Sequence, residues 1–186
     1  MQLCPVVTGP RGQKSAALLT SDGKPVTCKL PPTTTPFNAG VYGDQPSTRL
    51  NLDLICDDPA YQKFLNGVDE FVLQTICKNS ADYFKTKKTP EEVRAAFKSS
   101  IKTIEREGGP TYAPLVRTKI NVAGQGCVRV WDENKQSRAL PEDWRKCSIQ
   151  PILIAKSVYF LQGSILGVTY QVDDCIVHEK SDECPF

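Results

Sequence analysis

Residues 115–132, LVRTKINVAGQGCVRVWD, carry the pattern that most constrains the fold. Val116, Thr118, Ile120 and Val122 alternate with Arg117, Lys119 and Asn121. After AGQG, Val128 and Val130 alternate with Cys127, Arg129 and Trp131. Successive side chains of a strand point to opposite faces. Each half therefore divides into a β-branched set suited to a core and an open-face set that collects Arg117, Lys119, Arg129 and Trp131. The glycine-containing stretch 123–126 fits a hairpin turn. Three cations and an indole on one open face suit a single-stranded nucleic acid, with the cations on phosphates and the ring against an unstacked base. The same pattern also suits a charged outer face without a ligand, with Trp131 folded over a sheet edge.

Upstream, residues 16–20 and 25–30 read as short strands around the turn signal Ser21-Asp22-Gly23-Lys24. Residues 31–46, PPTTTPFNAGVYGDQP, have no periodicity and read as a loop. Phe37 and Tyr42 within it are either stacking residues or anchors. Residues 47–56 alternate Leu50, Leu52 and Leu54 with Arg49, Asn51 and Asp53, a strand with one buried face. Asp57-Asp58-Pro59 then starts a helix. Tyr61, Phe64, Leu65, Val68, Phe71, Val72 and Ile76 continue it at helical spacing to about Phe84.

A shorter helix is expected from Thr89-Pro90-Glu91-Glu92, with Val93, Phe97, Ile101 and Ile104 as its buried stripe. Arg94, Lys98 and Lys102 then stack at i, i+4, i+8 on its outer side. Gly108-Gly109-Pro110 ends it. Between Lys85 and Lys119 stand nine Lys or Arg against four Glu, in a chain whose net charge is only +2. Any nucleic-acid site is therefore a local patch and not a uniformly basic surface. Pro141-Glu142-Asp143-Trp144 reads as one helical turn. Residues 149–160 and 165–178 form a second hairpin.

At 186 residues one folded body is the natural expectation. No run of about 18 apolar residues is present, so no membrane span is expected. The N-terminus lacks a basic-then-apolar leader, which points to a soluble intracellular protein. The eight cysteines form no CxxC pair and read as thiols, mostly small buried apolar residues. No metal or other cofactor is expected, since His178 is the sole histidine. Catalytic patterns are missing: no GxSxG, no P-loop and no GxGxxG. A nuclease would have to gather Asp53, Asp173 and Asp174, and the last two alternate in a strand. The chain reads as a binding protein and not an enzyme.

The order of motifs resembles a known family. A strand leads into an aspartate-rich step and a long helix (LNLDLICDDPAYQKFLNGVDEF). Tyr112-Ala113-Pro114-Leu115 then enters the Lys/Arg-bearing strand. VRVWD and the hairpin ILIAKSVYFLQGSILGVTYQVDDCIV follow. This is similar to the single-stranded DNA-binding proteins of short-tailed coliphages, and more so to the related replication proteins of nucleocytoplasmic large DNA viruses.

The resemblance covers residues 47–178 and implies an OB-type antiparallel β-barrel with one long and one shorter helix. Residues 1–46 are then N-terminal strands and a flexible loop, and 179–186 a short tail. It implies non-specific single-stranded DNA binding in replication and recombination, at a viral replication site in the host nucleus or cytoplasm. It puts Arg117, Lys119, Arg129 and Trp131 on the binding strands. Lys156, Tyr159 and Phe160 lie on a strand that borders the groove, with core packing as the alternative for Phe160, and Tyr112 stands at the groove's entry. Lys98 and Lys102 add to the basic surface. The ending Asp182-Glu183-Cys184-Pro185-Phe186 is similar to the acidic, Pro-Phe tips of bacterial single-stranded DNA-binding proteins. That implies a partner contact through Pro185 and Phe186, to a DNA polymerase or primase-helicase. The long acidic linker of those proteins is missing here. A homodimer through an exposed strand edge or the C-terminal segment is also expected. The alternatives are a β-barrel protein-interaction module or a single-stranded RNA binder.

Overall fold

The computed structural model describes residues 1–41, 47–84, 86–103, 112–124, 126–161 and 165–179. Five short strands come first: β1 (Gln2–Leu3), β2 (Val7–Thr8), β3 (Lys14–Leu19), β4 (Val26–Lys29) and β5 (Thr33–Thr34). Then follow β6 (Arg49–Ile55), α1 (Pro59–Lys78), α2 (Ser80–Tyr83), α3 (Pro90–Ala96), β7 (Phe97–Lys98) and β8 (Ile101–Lys102). The chain closes with β9 (Leu115–Asn121), β10 (Arg129–Trp131), a 3-10 turn (Trp144–Lys146), β11 (Cys147–Leu161) and β12 (Ile165–Glu179).

The β11–β12 hairpin, with 15 residues in each strand, is the spine. The outer edge of β11 takes β5, β4 and β3 in turn, all antiparallel. The outer edge of β12 takes β7, β9 and β10 in turn, all parallel. β6 lies antiparallel beyond β9, and β1 and β2 pair with β3. The protein is thus mainly β with a few helices, and its sheet is mixed and open. The expected closed antiparallel barrel is not formed: three strands run parallel to β12, and the end strands β1 and β6 do not pair with each other among the described residues.

Two bulges bend the spine, one between Ile152 and Leu153 opposite Asp174 and Val172, the other between Ala155 and Ser157. Each inserts one extra residue, Asp173 in β12 and Lys156 in β11. Each bulge absorbs its extra residue, so the core positions change parity across it, from Leu153 and Ala155 to Val158 in β11 and from Tyr170 and Val172 to Cys175 and Val177 in β12. Leu153, Ala155, Val158, Tyr170, Val172, Cys175 and Val177 stay in the core.

The core lies on one side of the sheet, under α1. Asp58 caps α1 by accepting from the Ala60 amide at 2.7 Å, and Pro59 fills the first helical position. Tyr61, Leu65, Val68, Val72 and Ile76 recur every three or four residues and are buried. They share one cluster with Leu52, Leu54, Val116, Ile120, Leu153 and Leu166. Each such apolar side chain contributes about 1.5–3 kcal/mol by leaving water. Ala16, Leu18, Val26 and Leu30 belong to the same cluster, so residues on either side of position 46 build one core. The opposite face of the sheet carries no helix among the described elements.

Three local expectations are corrected. First, β9 and β10 are not a hairpin: they do not pair with each other, and both run parallel to β12. The Val128 amide donates to the Asn121 carbonyl at 2.8 Å, and Gly124 and Gly126 take φ of 78° and 81°. These contacts close a detour from which the chain emerges in its original direction. Second, α3 stops at Ala96 instead of running to Ile104. Phe97 turns extended and pairs with Leu166 of β12, while Asp69 captures the Ser100 amide. Residues 104–110 lie outside the described residues. Third, the helix expected to reach Phe84 breaks after Lys78, and α2 continues it for one turn. In the expected loop 31–46, β5 and a Gly40–Asn51 bridge hold the described part to the sheet.

Candidate nucleic-acid interface

The candidate site is built where β9 and β12 splay apart. They pair at Thr118–Tyr170 and Lys119–Gln171 and stand apart on the N-terminal side of that pair. Residues 97–102 fill the fork: Phe97 and Lys98 pair with β12, and Ile101 and Lys102 with β9. The corner between them, Ser99-Ser100, is pinned from α1 by the buried Asp69. Its carboxylate accepts from the Ser100 amide at 2.8 Å, from the Ser100 hydroxyl, and from the Ser99 hydroxyl at 3.4 Å. The Tyr170 hydroxyl lies 3.0 Å from Ser100 Oγ. Burial raises the Asp69 carboxyl above its ordinary value, and the serine hydrogen bonds oppose that rise.

This wedge opens a cleft of about 140 Å3 lined by Lys98, Lys102, Arg117, Lys119, Tyr159 and Thr169. Five of the nine expected nucleic-acid contacts therefore meet in one place. Burial, then the neighbouring Arg49 and Arg117, and further on Lys102, lower the Lys119 ammonium below the ordinary lysine value, against the pull of Asp53. Lys119 donates to the Asn51 side chain. Asp53 grips Arg117 bidentately, with both bonds at 2.8 Å. Lys98, Lys102 and Lys119 have no carboxylate partner among the described residues. The Tyr159 ring lies over Gly167, directly opposite it in the hairpin.

The remaining expected residues lie elsewhere. Arg129 and the Trp131 indole N–H both donate to Asp174, the latter at 3.1 Å. Trp131 walls a separate groove of about 310 Å3 on the same open face. The bulged Lys156 donates to Gln171 Oε1 at 2.8 Å, and Gln171 in turn donates to the other bulged residue, Asp173. Tyr112 is exposed ahead of β9 and does not line the cleft. Pro185, Phe186 and Tyr42 lie outside the described residues. The Asp53, Asp173 and Asp174 carboxylates each hold a protein donor, and no metal-holding acidic group forms among the described residues.

Arg49 was not among the expected contacts, although the alternation of 47–56 puts it beside Asn51 and Asp53 on the open face. Phe37 is exposed beside Asp53 and Arg117, at a hollow next to the cleft. No helix among the described residues is long and apolar enough to cross a membrane. In comparison with known proteins, the chain matches no family model and no curated protein.

Proposed function

We propose that this protein binds single-stranded DNA, without sequence preference, along the open face of its sheet, acting in replication and recombination. The observation that carries the proposal is the convergence of Lys98, Lys102, Arg117 and Lys119 on one cleft beside Tyr159. Three of these cations lack a carboxylate partner among the described residues. Phosphates supply the missing charge, and the release of their counterions drives binding. Tyr159 offers a face for a base, which stacks without reading sequence. The order of motifs, similar to that of phage and large-virus single-stranded DNA-binding proteins, supports DNA over RNA. The reading needs no closed barrel, since one open sheet face is enough.

A second reading, a protein-interaction surface, is favoured by the Asp53–Arg117 and Asp174–Arg129 pairs, which neutralise two of the cations. Replacing Lys98, Lys102 and Lys119 together by alanine separates the two. Under the first reading, affinity for oligo-dT falls and the slope of log affinity against log salt shrinks by about 2, from roughly 0.7 per lost phosphate contact. The melting temperature stays near that of the wild type. Unchanged binding to oligo-dT rejects the proposal.

A further inference from the structure

We infer that the groove beneath Trp131 is a second nucleobase subsite, in which one base lies between the indole and an Ile152–Ile176 floor while Lys29 and Lys135 take the adjoining phosphates. The inference rests on the strand-binding reading above and extends it from one cleft to a path across the face. The groove is built by register. Ile152 stands opposite both Asp174 and Lys29, Gln150 opposite Ile176, and Trp131 beside Ile176. The floor is aliphatic and the rim is cationic. Lys29 and Lys135 have no ion-pair partner among the described residues.

Asp174, the carboxylate at this groove, already accepts from Arg129 and from the indole N–H. Its charge is answered from the protein, and the same hydrogen bond fixes the plane of the ring. A flat ligand with apolar faces and an anionic flank matches this combination of indole, isoleucines and lysines. A purely aliphatic ligand would leave both lysines unanswered. Lys135 also adopts φ of 61°, a backbone conformation costly for a residue with a side chain.

The groove and the cleft lie along the same strand, β12. Thr169, Gln171, Asp174 and Ile176 follow one another on the open face of β12, and Gln171 carries the ammonium of Lys156 midway. From Thr169 to Ile176 the strand spans about 23 Å at about 3.3 Å per residue. A strand held at both ends therefore crosses several nucleotides, and a very short oligomer fills the cleft alone.

The test uses the whole chain and a twelve-nucleotide oligo-dT carrying 5-iododeoxyuridine, irradiated and mapped by mass spectrometry. Adducts at both Tyr159 and Trp131 are expected. In parallel, Trp131→Ala is expected to weaken the twelve-mer by about tenfold, the loss of one stacked base, and to leave a four-mer unaffected. Trp131→Phe, which keeps a ring but loses the bond to Asp174, restores most of the affinity. Binding of the twelve-mer with adducts at Tyr159 and none at Trp131 overturns the subsite and leaves the cleft standing. Equal losses for Trp131→Phe and Trp131→Ala also overturn it, because the indole then acts only through Asp174. No binding of any oligomer overturns both readings.

Discussion

The Tyr159 hydroxyl lies 2.6 Å from where a Cβ on residue 167 would sit, so the tyrosine ring covers Gly167. The tip of the ring thus occupies the space that a side chain at 167 would fill, at the edge of the basic cleft. Gly167→Ala forces the ring to move. The expected result is weaker oligo-dT binding, approaching the loss of about 1–3 kcal/mol set by Tyr159→Ala. Tyr159→Phe keeps the stacking face and retains most of the affinity. Titration of the three variants by anisotropy checks this.

Asp69 connects the helix layer to the cleft, since it pins the Ser99-Ser100 corner from which Lys98 and Lys102 project. Asp69→Ala leaves the Ser100 amide without its acceptor, at a cost of about 1–3 kcal/mol. It also loosens the fork, so binding falls with stability. Chemical denaturation and anisotropy on the same variant measure both.

The same residue sets a pH dependence. Burial holds the folded Asp69 carboxyl above its ordinary value of 3.8, so the folded state binds that proton more tightly than the unfolded state. Its contribution is fully present below the unfolded value and is lost as pH rises through the raised folded value. The stability of the wild type relative to Asp69→Asn is therefore expected to decline as pH rises from about 4 towards neutrality. A gap that widens with pH contradicts this placement of Asp69.

Asp53 restrains Arg117 with two hydrogen bonds on the open face. Asp53→Asn removes that negative charge from the cleft. Binding to oligo-dT is expected to tighten several-fold, with a salt slope steeper by about 0.7 if Arg117 gains one phosphate. An unchanged affinity assigns the pair a purely structural role.

Leu65 is the control. It is fully buried on α1, away from the open face. Leu65→Ala is expected to cost about 2–5 kcal/mol of stability. Binding measured below the melting temperature should stay unchanged.

Alternation made the faces of β6, β9 and β10 legible, because burial of Leu52, Leu54, Val116, Ile120 and Val130 depends only on a period of two. The capping signals at Asp58 and Thr89 were legible for the same local reason. The parallel pairing of β9 and β10 with β12 was not, since partners 52 and 45 residues away leave no mark in the strands themselves. The detour through Gly124 and Gly126 has the glycine signature of a hairpin turn, and only the Asn121–Val128 bond distinguishes the two. The i, i+4, i+8 spacing of Arg94, Lys98 and Lys102 suggests one helix face, whereas two short strands bring Lys98 and Lys102 to the cleft and leave Arg94 on α3 outside it. Asp69 carries no local signal, being one acid on an otherwise amphipathic helix. Lys29 and Lys135 border their groove only through the register of β4 with β11 and the loop after β10.

Single-stranded DNA binding by the open face is tested by the anisotropy of a labelled oligo-dT of about 30 nucleotides, at two salt concentrations, with duplex DNA as competitor. Tight binding that weakens steeply with salt and resists the duplex is the predicted result. No binding at low salt, or complete displacement by duplex, contradicts it.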